Sequence, residues 1–206
     1  MSATEVTESV LDALHEHPER IAPHLHMPLQ SGDDDVLRAM NRWYDVDTYV
    51  KRCDEIRERL DRPAFTADVL VGFPGEDAAS FANTLATVER IGFARVHVFP
   101  FSARPGTAAA VPSQLGAPVD PMDARERRAA LSETAHACGA RYRAGLEGAE
   151  DVVVLEGGAG LSGRYQRVRV PLDSLPPGPL PDLCSVTLAL DPEAPEDEPR
   201  LVGRPR

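Results

Sequence analysis

The sequence predicts an α/β chain in which parallel β/α units are followed by a small antiparallel β-barrel. Two observations predict it. Three apolar runs each end in Gly- or Pro-rich turn chemistry or lead into a helical pattern, the order expected of strands that cross over to parallel neighbours. Beyond Gly148 the pattern changes to short alternating runs divided by Gly, Pro and Asp, as in a small barrel.

Val6, Val10, Leu11 and Leu14 stand at helical spacing before Pro18, so a helix opens the chain. Ile21 to Leu29 (IAPHLHMPL) is short and apolar-rich and runs into Gln30-Ser31-Gly32, which makes it the first strand. Helices are expected from near Asp33 and near Asp47. Asp33, Asp34 and Asp35 suit the first of these, where carboxylates cap free amides and meet the positive end of the helix dipole. Phe65 to Phe73 (FTADVLVGF) is the second strand and closes in GFPGE. Asp77 to Ile91 reads as an amphipathic helix, and Ala94 to Ser102 (ARVHVFPFS) as the third strand, closed by RPGT. A connector from Pro112 to Pro121 leads to a charged helix from Met122 to Tyr142.

The strands DVVVLE, GRYQRVRV and SVTLAL follow, and a domain boundary near Gly148 divides residues 1–148 from 149–206. Leu175 to Pro181 (LPPGPLP) reads as a stiff loop, and the acidic run Glu193 to Glu198 as a solvated hairpin tip. Three parallel strands alone make a poor core, because a parallel sheet needs both faces covered and its edges managed; further strands upstream are expected.

Composition narrows the function. With 206 residues, 42% hydrophobic and 27% charged, the chain has material for one core and a small second domain. No stretch approaches the roughly 18 apolar residues of a membrane helix, and the first twenty residues lack a signal peptide's basic and apolar regions, so a cytoplasmic protein without a membrane partner is expected. A net charge of −11 argues against non-specific binding of nucleic acid; any RNA contact must be local. Cys53, Cys138 and Cys184 are too scattered for a disulfide framework or a CxxC metal site and read as reduced thiols.

Strand parity organises the chemistry. His24, His26 and Gln30 share one face of the first strand, Thr66, Asp68, Leu70 and Gly72 one face of the second, and Arg95, His97, Phe99 and Phe101 one face of the third. Strand ends in β/α barrels form active sites, which puts Gln30, Ser31, Gly32 and Gly72 at a mouth. The His pair reads as a hydrogen-bonded pair rather than a metal site. Gly72 and Gly75 leave backbone open to a ligand or, in the ordinary reading, serve a tight turn. Arg104 suits a phosphate or carboxylate, or is a turn arginine. Tyr165, Arg167 and Arg169 make a basic and aromatic stripe suited to RNA, or a solvated strand whose charges discourage aggregation.

HLHMPLQSGDDDVLRAMNRWY, DVLVGFPGE and HVFPFSARPGT, in this order, resemble the methylthiotransferase branch of the radical S-adenosylmethionine superfamily over roughly residues 1 to 145. The HVFPFS form is similar to enzymes acting on N6-threonylcarbamoyladenosine in tRNA, and GLSGRYQRVRV resembles a TRAM domain. The resemblance implies a partial (β/α)6 barrel, of which the last three strands are present, followed by a TRAM β-barrel that helps hold tRNA. It also implies a methylthio group added at adenine C2, with S-adenosylmethionine and [4Fe-4S] clusters as cofactors. The cluster that cleaves S-adenosylmethionine is held in that family by a CxxxCxxC loop, and no CxxxCxxC occurs here. The chain alone is therefore expected to be inactive, its cluster cysteines lying in an N-terminal half. The alternatives are an RNA-binding protein without catalysis and a gene relic. By resemblance the S-adenosylmethionine cleft comprises Gln30, Ser31, Gly32, Arg42, Asp68, Gly72, Gly75 and Glu76, with Arg42 toward the methionine carboxylate. The RNA-binding candidates are Arg104, Tyr165, Arg167 and Arg169.

Overall fold

The computed structural model describes the chain apart from residues 19, 108–110, 112–114, 176–181, 196–199 and 206. Residues 176–181 of the stiff loop, half of the acidic run and part of the connector lie outside the described residues.

The first unit is three-stranded and parallel. A 3-10 turn (Ala3–Glu5) and α1 (Glu8–Glu16) precede β1 (His24–His26); α2 (Asp34–Ala39) and α3 (Val46–Arg59) lead to β2 (Ala64–Val71); α4 (Ala78–Ile91) leads to β3 (Arg95–Pro100). The order is β1-β2-β3, with His24 opposite Ala64 and Thr66 opposite Arg95. The helix starts follow from capping: Asp33 accepts from the amides of Asp35 and Val36, Asp45 from Thr48 and Asp77 from Ser80.

The first strand is shorter than the apolar run that announces it. Pro28 cannot donate to a ladder, so regular pairing stops at His26 and resumes only as a single bridge between Gln30 and Val69. Two tyrosines satisfy the carbonyls this releases. Tyr49 Oη donates to Met27 O at 2.6 Å, and Tyr44 Oη to Leu29 O at 3.0 Å. Burial raises the pKa of both phenols, so they stay donors.

One face of the sheet is packed: Leu25, Met27, Leu29, Phe65, Ala67, Val69 and Val71 join Tyr49, Ile56, Val88, Ile91, Phe93 and Leu131 in a single core. The other face, with His26, Asp68, His97 and Phe99, is half-buried or exposed.

Helix α5 (Pro121–Ala144) carries Gly139 in its interior. A Cβ there would stand 3.0 Å from Ala94 O, so the glycine lets the helix lie against the start of β3.

The second unit is a closed barrel of β4 (Glu150–Glu156), β5 (Ala159–Ser162), β6 (Arg167–Arg169), β7 (Leu183–Leu190) and β8 (Leu201–Pro205), ordered β4-β5-β6-β8-β7. Val153, Leu155, Val168, Val170, Val186, Leu188 and Leu201 fill it. Two strands absent from the sequence reading, β5 and β8, are short and contain glycine, which hides them. The barrel also departs from a purely antiparallel one: β6 pairs with β8 in parallel. The run GRYQRVRV is a strand only over its last part, because Tyr165 takes a left-handed φ of 58° that breaks the ladder before Arg167.

Candidate functional site

The strand ends do converge. Gln30 N donates to Asp68 O and Leu70 N to Gln30 O, which holds the end of the first strand segment against β2. Gln30 takes a left-handed φ of 67°, turning the chain sharply into Ser31 and Gly32. Those two residues face α4. Gly32 N donates to Thr84 Oγ1 at 3.0 Å, Thr87 Oγ1 donates to Gly32 O at 3.2 Å, and Ser31 Oγ lies 3.2 Å from Thr84 Oγ1. A Cβ on Gly32 would stand 2.7 Å from Thr84 Cα, so the glycine is required by helix packing.

The GFPGE turn is organised by Glu76. Its side chain is 1% exposed; Oε1 accepts from Gly72 N at 3.1 Å and from Arg127 Nη1 of α5 at 2.6 Å. Gly75 N donates to Ala117 O, and a Cβ on Gly75 would reach 2.5 Å from Leu115 O. The open backbone of Gly75 is thus approached by the chain's own connector. Phe73 and Phe101 meet edge to face at 5.2 Å, joining this turn to the loop after β3, where Arg104 is exposed. Arg42 is exposed beside buried Tyr44.

A polar chain runs along the open sheet face. His24 Nε2 and His26 Nδ1 lie 2.9 and 3.0 Å from the same Thr66 Oγ1, and His26 Nε2 lies 3.5 Å from Asp68 Oδ2. The Thr66 hydroxyl has one proton, so it can donate to at most one of the two imidazoles, and at least one ring must donate to it. Among the described residues no group of three or more His, Cys, Asp or Glu is placed to hold a metal ion.

The remaining candidates stand at the opposite end of the sheet. The Tyr165 ring stacks on His24 with 4.7 Å between centroids and 4° between planes. Arg167 and Arg169 are exposed, Arg169 at 3.3 Å from Asp191. His24 pairs with Ala64 at the start of β2, so the Tyr165 stack lies at the end of that strand opposite the GFPGE turn. Parity marked the stripe but concealed its neighbour Arg164, which is buried and reaches the turn before β2. Arg127, in the run RERR, was equally silent.

Burial, and after it the charge of His26, lowers the pKa of His24 below its ordinary 6.5. Folding therefore disfavours the proton. The unfolded chain takes it up first, so this contribution to stability is complete above pH 6.5 and is lost as pH falls toward the lower folded value. We expect the melting temperature to decline from pH 6.5 to 5, with a shallower decline in His24→Gln; thermal melts across that window check it, and equal slopes would refute it.

Residues 1–88 match the Radical SAM superfamily. A threonylcarbamoyladenosine tRNA methylthiotransferase of Thermotoga maritima is 38% identical over 156 residues, 76% of this chain and 35% of that protein. A tRNA-2-methylthio-N6-dimethylallyladenosine synthase of an Arthrobacter species is 40% identical over 192 residues, 88% of this chain and 36% of that protein. Among solved structures, coproporphyrinogen III oxidase from Escherichia coli, a radical SAM enzyme, aligns with a TM-score of 0.51 at 25% identity, covering 65% of this chain and 31% of that one. Fold and superfamily match together define a radical SAM protein. More narrowly, the chain corresponds to part of a radical SAM tRNA methylthiotransferase, and it spans 35% and 36% of the length of the first two relatives.

The donor set of this chain does not fit an iron–sulfur cluster. Cys53, Cys138 and Cys184 are buried on α3, α5 and β7, and burial raises the thiol of Cys53 to about 12. A cluster ligand is a thiolate; burial raises the pKa of Cys138 as well as Cys53, and the three thiols stand on separate elements.

Proposed function

We propose that the chain supplies the substrate-cradling part of a tRNA methylthiotransferase acting at C2 of N6-threonylcarbamoyladenosine at position 37. The observation that carries the reading is the similarity to the T. maritima enzyme over 76% of the chain.

S-adenosylmethionine would lie at that mouth. Gln30, Asp68 and Arg42 are the residues with polar groups left to offer it: an amide, a half-exposed carboxylate and an exposed guanidinium. Ser31, Gly32, Gly72, Gly75 and Glu76 serve by fixing the shape of the two loops. When bound, S-adenosylmethionine supplies the sulfonium from which the family's radical chemistry starts, and that start needs thiolates this chain lacks. The 206 residues by themselves therefore bind without turning over, with residues 149–206 acting as a TRAM-like unit whose Tyr165, Arg167 and Arg169, with Arg104 at the mouth, contact tRNA. The cluster cysteines belong to an N-terminal half that is either separate or missing from these 206 residues, and the working compartment is the cytoplasm.

Deleting the gene region in its host and analysing tRNA nucleosides by mass spectrometry tests this. Loss of 2-methylthio-N6-threonylcarbamoyladenosine, with the unthiolated nucleoside accumulating, is expected. Loss of the isopentenyladenosine counterpart instead would reassign the substrate to that of the Arthrobacter relative. No change in either would leave an RNA-binding protein without catalysis, a reading favoured by the missing thiolates.

A further inference from the structure

We propose that Arg164 is a positioning residue: it pins the five-stranded barrel to the N-terminal end of the parallel sheet, so that both units hold one RNA as a single rigid platform. The part of this concerning RNA rests on the function proposed above; the part concerning rigidity does not.

Arg164 is a 5% exposed arginine at the junction of three chain segments. Its Nε donates to Arg62 O at 3.2 Å and its Nη2 to Asp61 O at 3.0 Å, both in the turn before β2. Its Nη1 donates to Glu150 O at 2.8 Å, at the start of β4. Two successive carbonyls are available to one guanidinium because Arg62 takes a left-handed φ of 46°. A second unfavourable backbone, Tyr165 at 58°, lies directly after Arg164 and brings the phenol onto His24. Two of the four non-glycine residues with positive φ among the described residues thus meet at this junction, and such conformations persist only where surrounding contacts over-determine them.

The charge balance supports the same reading. The Asp151 carboxylate is 4% exposed, lies 3.3 Å from Arg164 Nη1, and has one oxygen without a hydrogen-bond partner. From α5, Tyr142 Oη donates to Arg62 O at 2.9 Å, so the carbonyl that receives Arg164 is fixed from a second side. Moving the barrel would strip a buried guanidinium of its cross-unit acceptors, the carbonyls of Arg62 and Asp61 and the Asp61 carboxylate at 3.4 Å, which makes the junction a lock rather than a hinge. A lysine could neutralise Asp151 but could not fork to two carbonyls.

The test uses the 206-residue chain, with amide 15N relaxation and binding of a tRNA anticodon stem-loop as readouts. In the wild type, amides of the sheet and the barrel should report one rotational correlation time. In Arg164→Lys they should separate into two shorter ones, while hydrogen-exchange protection inside each unit is kept and RNA affinity falls about tenfold. Tyr142→Phe, which removes only one hydroxyl, should loosen the barrel to a smaller degree and guards against a lysine variant that fails to fold. A single correlation time in both variants would overturn the pin. Loss of protection within the barrel would instead give Arg164 a role confined to the barrel. Wild-type chain that tumbles as one body but ignores the stem-loop would defeat the RNA reading alone.

Discussion

Replacing Glu76 with alanine is expected to lower the melting temperature by roughly 10 °C, which corresponds to about 3–5 kcal/mol in a domain of this size. The carboxylate is 1% exposed and its partner Arg127 is 13% exposed, so the variant leaves a guanidinium largely out of water without its counter-charge. It also frees Gly72 N, whose acceptor is the same oxygen. The pair itself need not be strongly stabilising, since two charges lose much hydration when buried together. The double variant Glu76→Leu with Arg127→Met should therefore recover most of the loss. Thermal unfolding followed by circular dichroism checks both, and a single variant that melts within 2 °C of the wild type would refute the argument.

Gly160→Ala should be comparably damaging, at about 3 kcal/mol or more, and confined to the barrel. A Cβ there would stand 2.0 Å from Val154 O and 2.6 Å from Val153 Cγ1. The first of these is backbone in the paired strand β4, which cannot yield without breaking the ladder between Leu155 and Gly160. Hydrogen exchange by mass spectrometry should show residues 150–162 losing protection while β2 keeps it. Unchanged exchange over 150–162 would mean the strands accommodate the methyl group.

Features governed by neighbouring residues were legible in the sequence. Asp33 and Asp77 read as helix starts because capping is decided within one turn, and the three parallel strands read correctly because each ends in its own turn chemistry. The extent of β1 was not, since Pro28 matters only once a ladder exists for it to interrupt. Side-chain parity put Arg167 and Arg169 on one face, and the structure exposes both and buries Val168 between them. Parity is blind to partners: nothing in GRYQRVRV says that Arg164 meets Asp61, 103 positions earlier. Gly75 and Glu76 show the same limit at the mouth. A glycine-rich turn announces close approach, and only the fold reveals that Leu115 makes it.

The parallel pairing of β6 with β8 dictates an order of assembly. Val168 and Arg169 have their partners at Leu201 and Val202, and β7 meets β8 through a further five pairs. The ring β4-β5-β6-β8-β7 thus has no closing member until Leu201–Pro205 has left the ribosome. Up to that moment the chain presents the unpaired flanks of β6 and β7, each able to recruit a foreign strand. Synthesis thus exposes this half of the molecule to mispairing later than the parallel sheet, whose last strand ends about a hundred residues earlier. Expression yield should then depend on how promptly the final strand arrives rather than on the strength of the larger core.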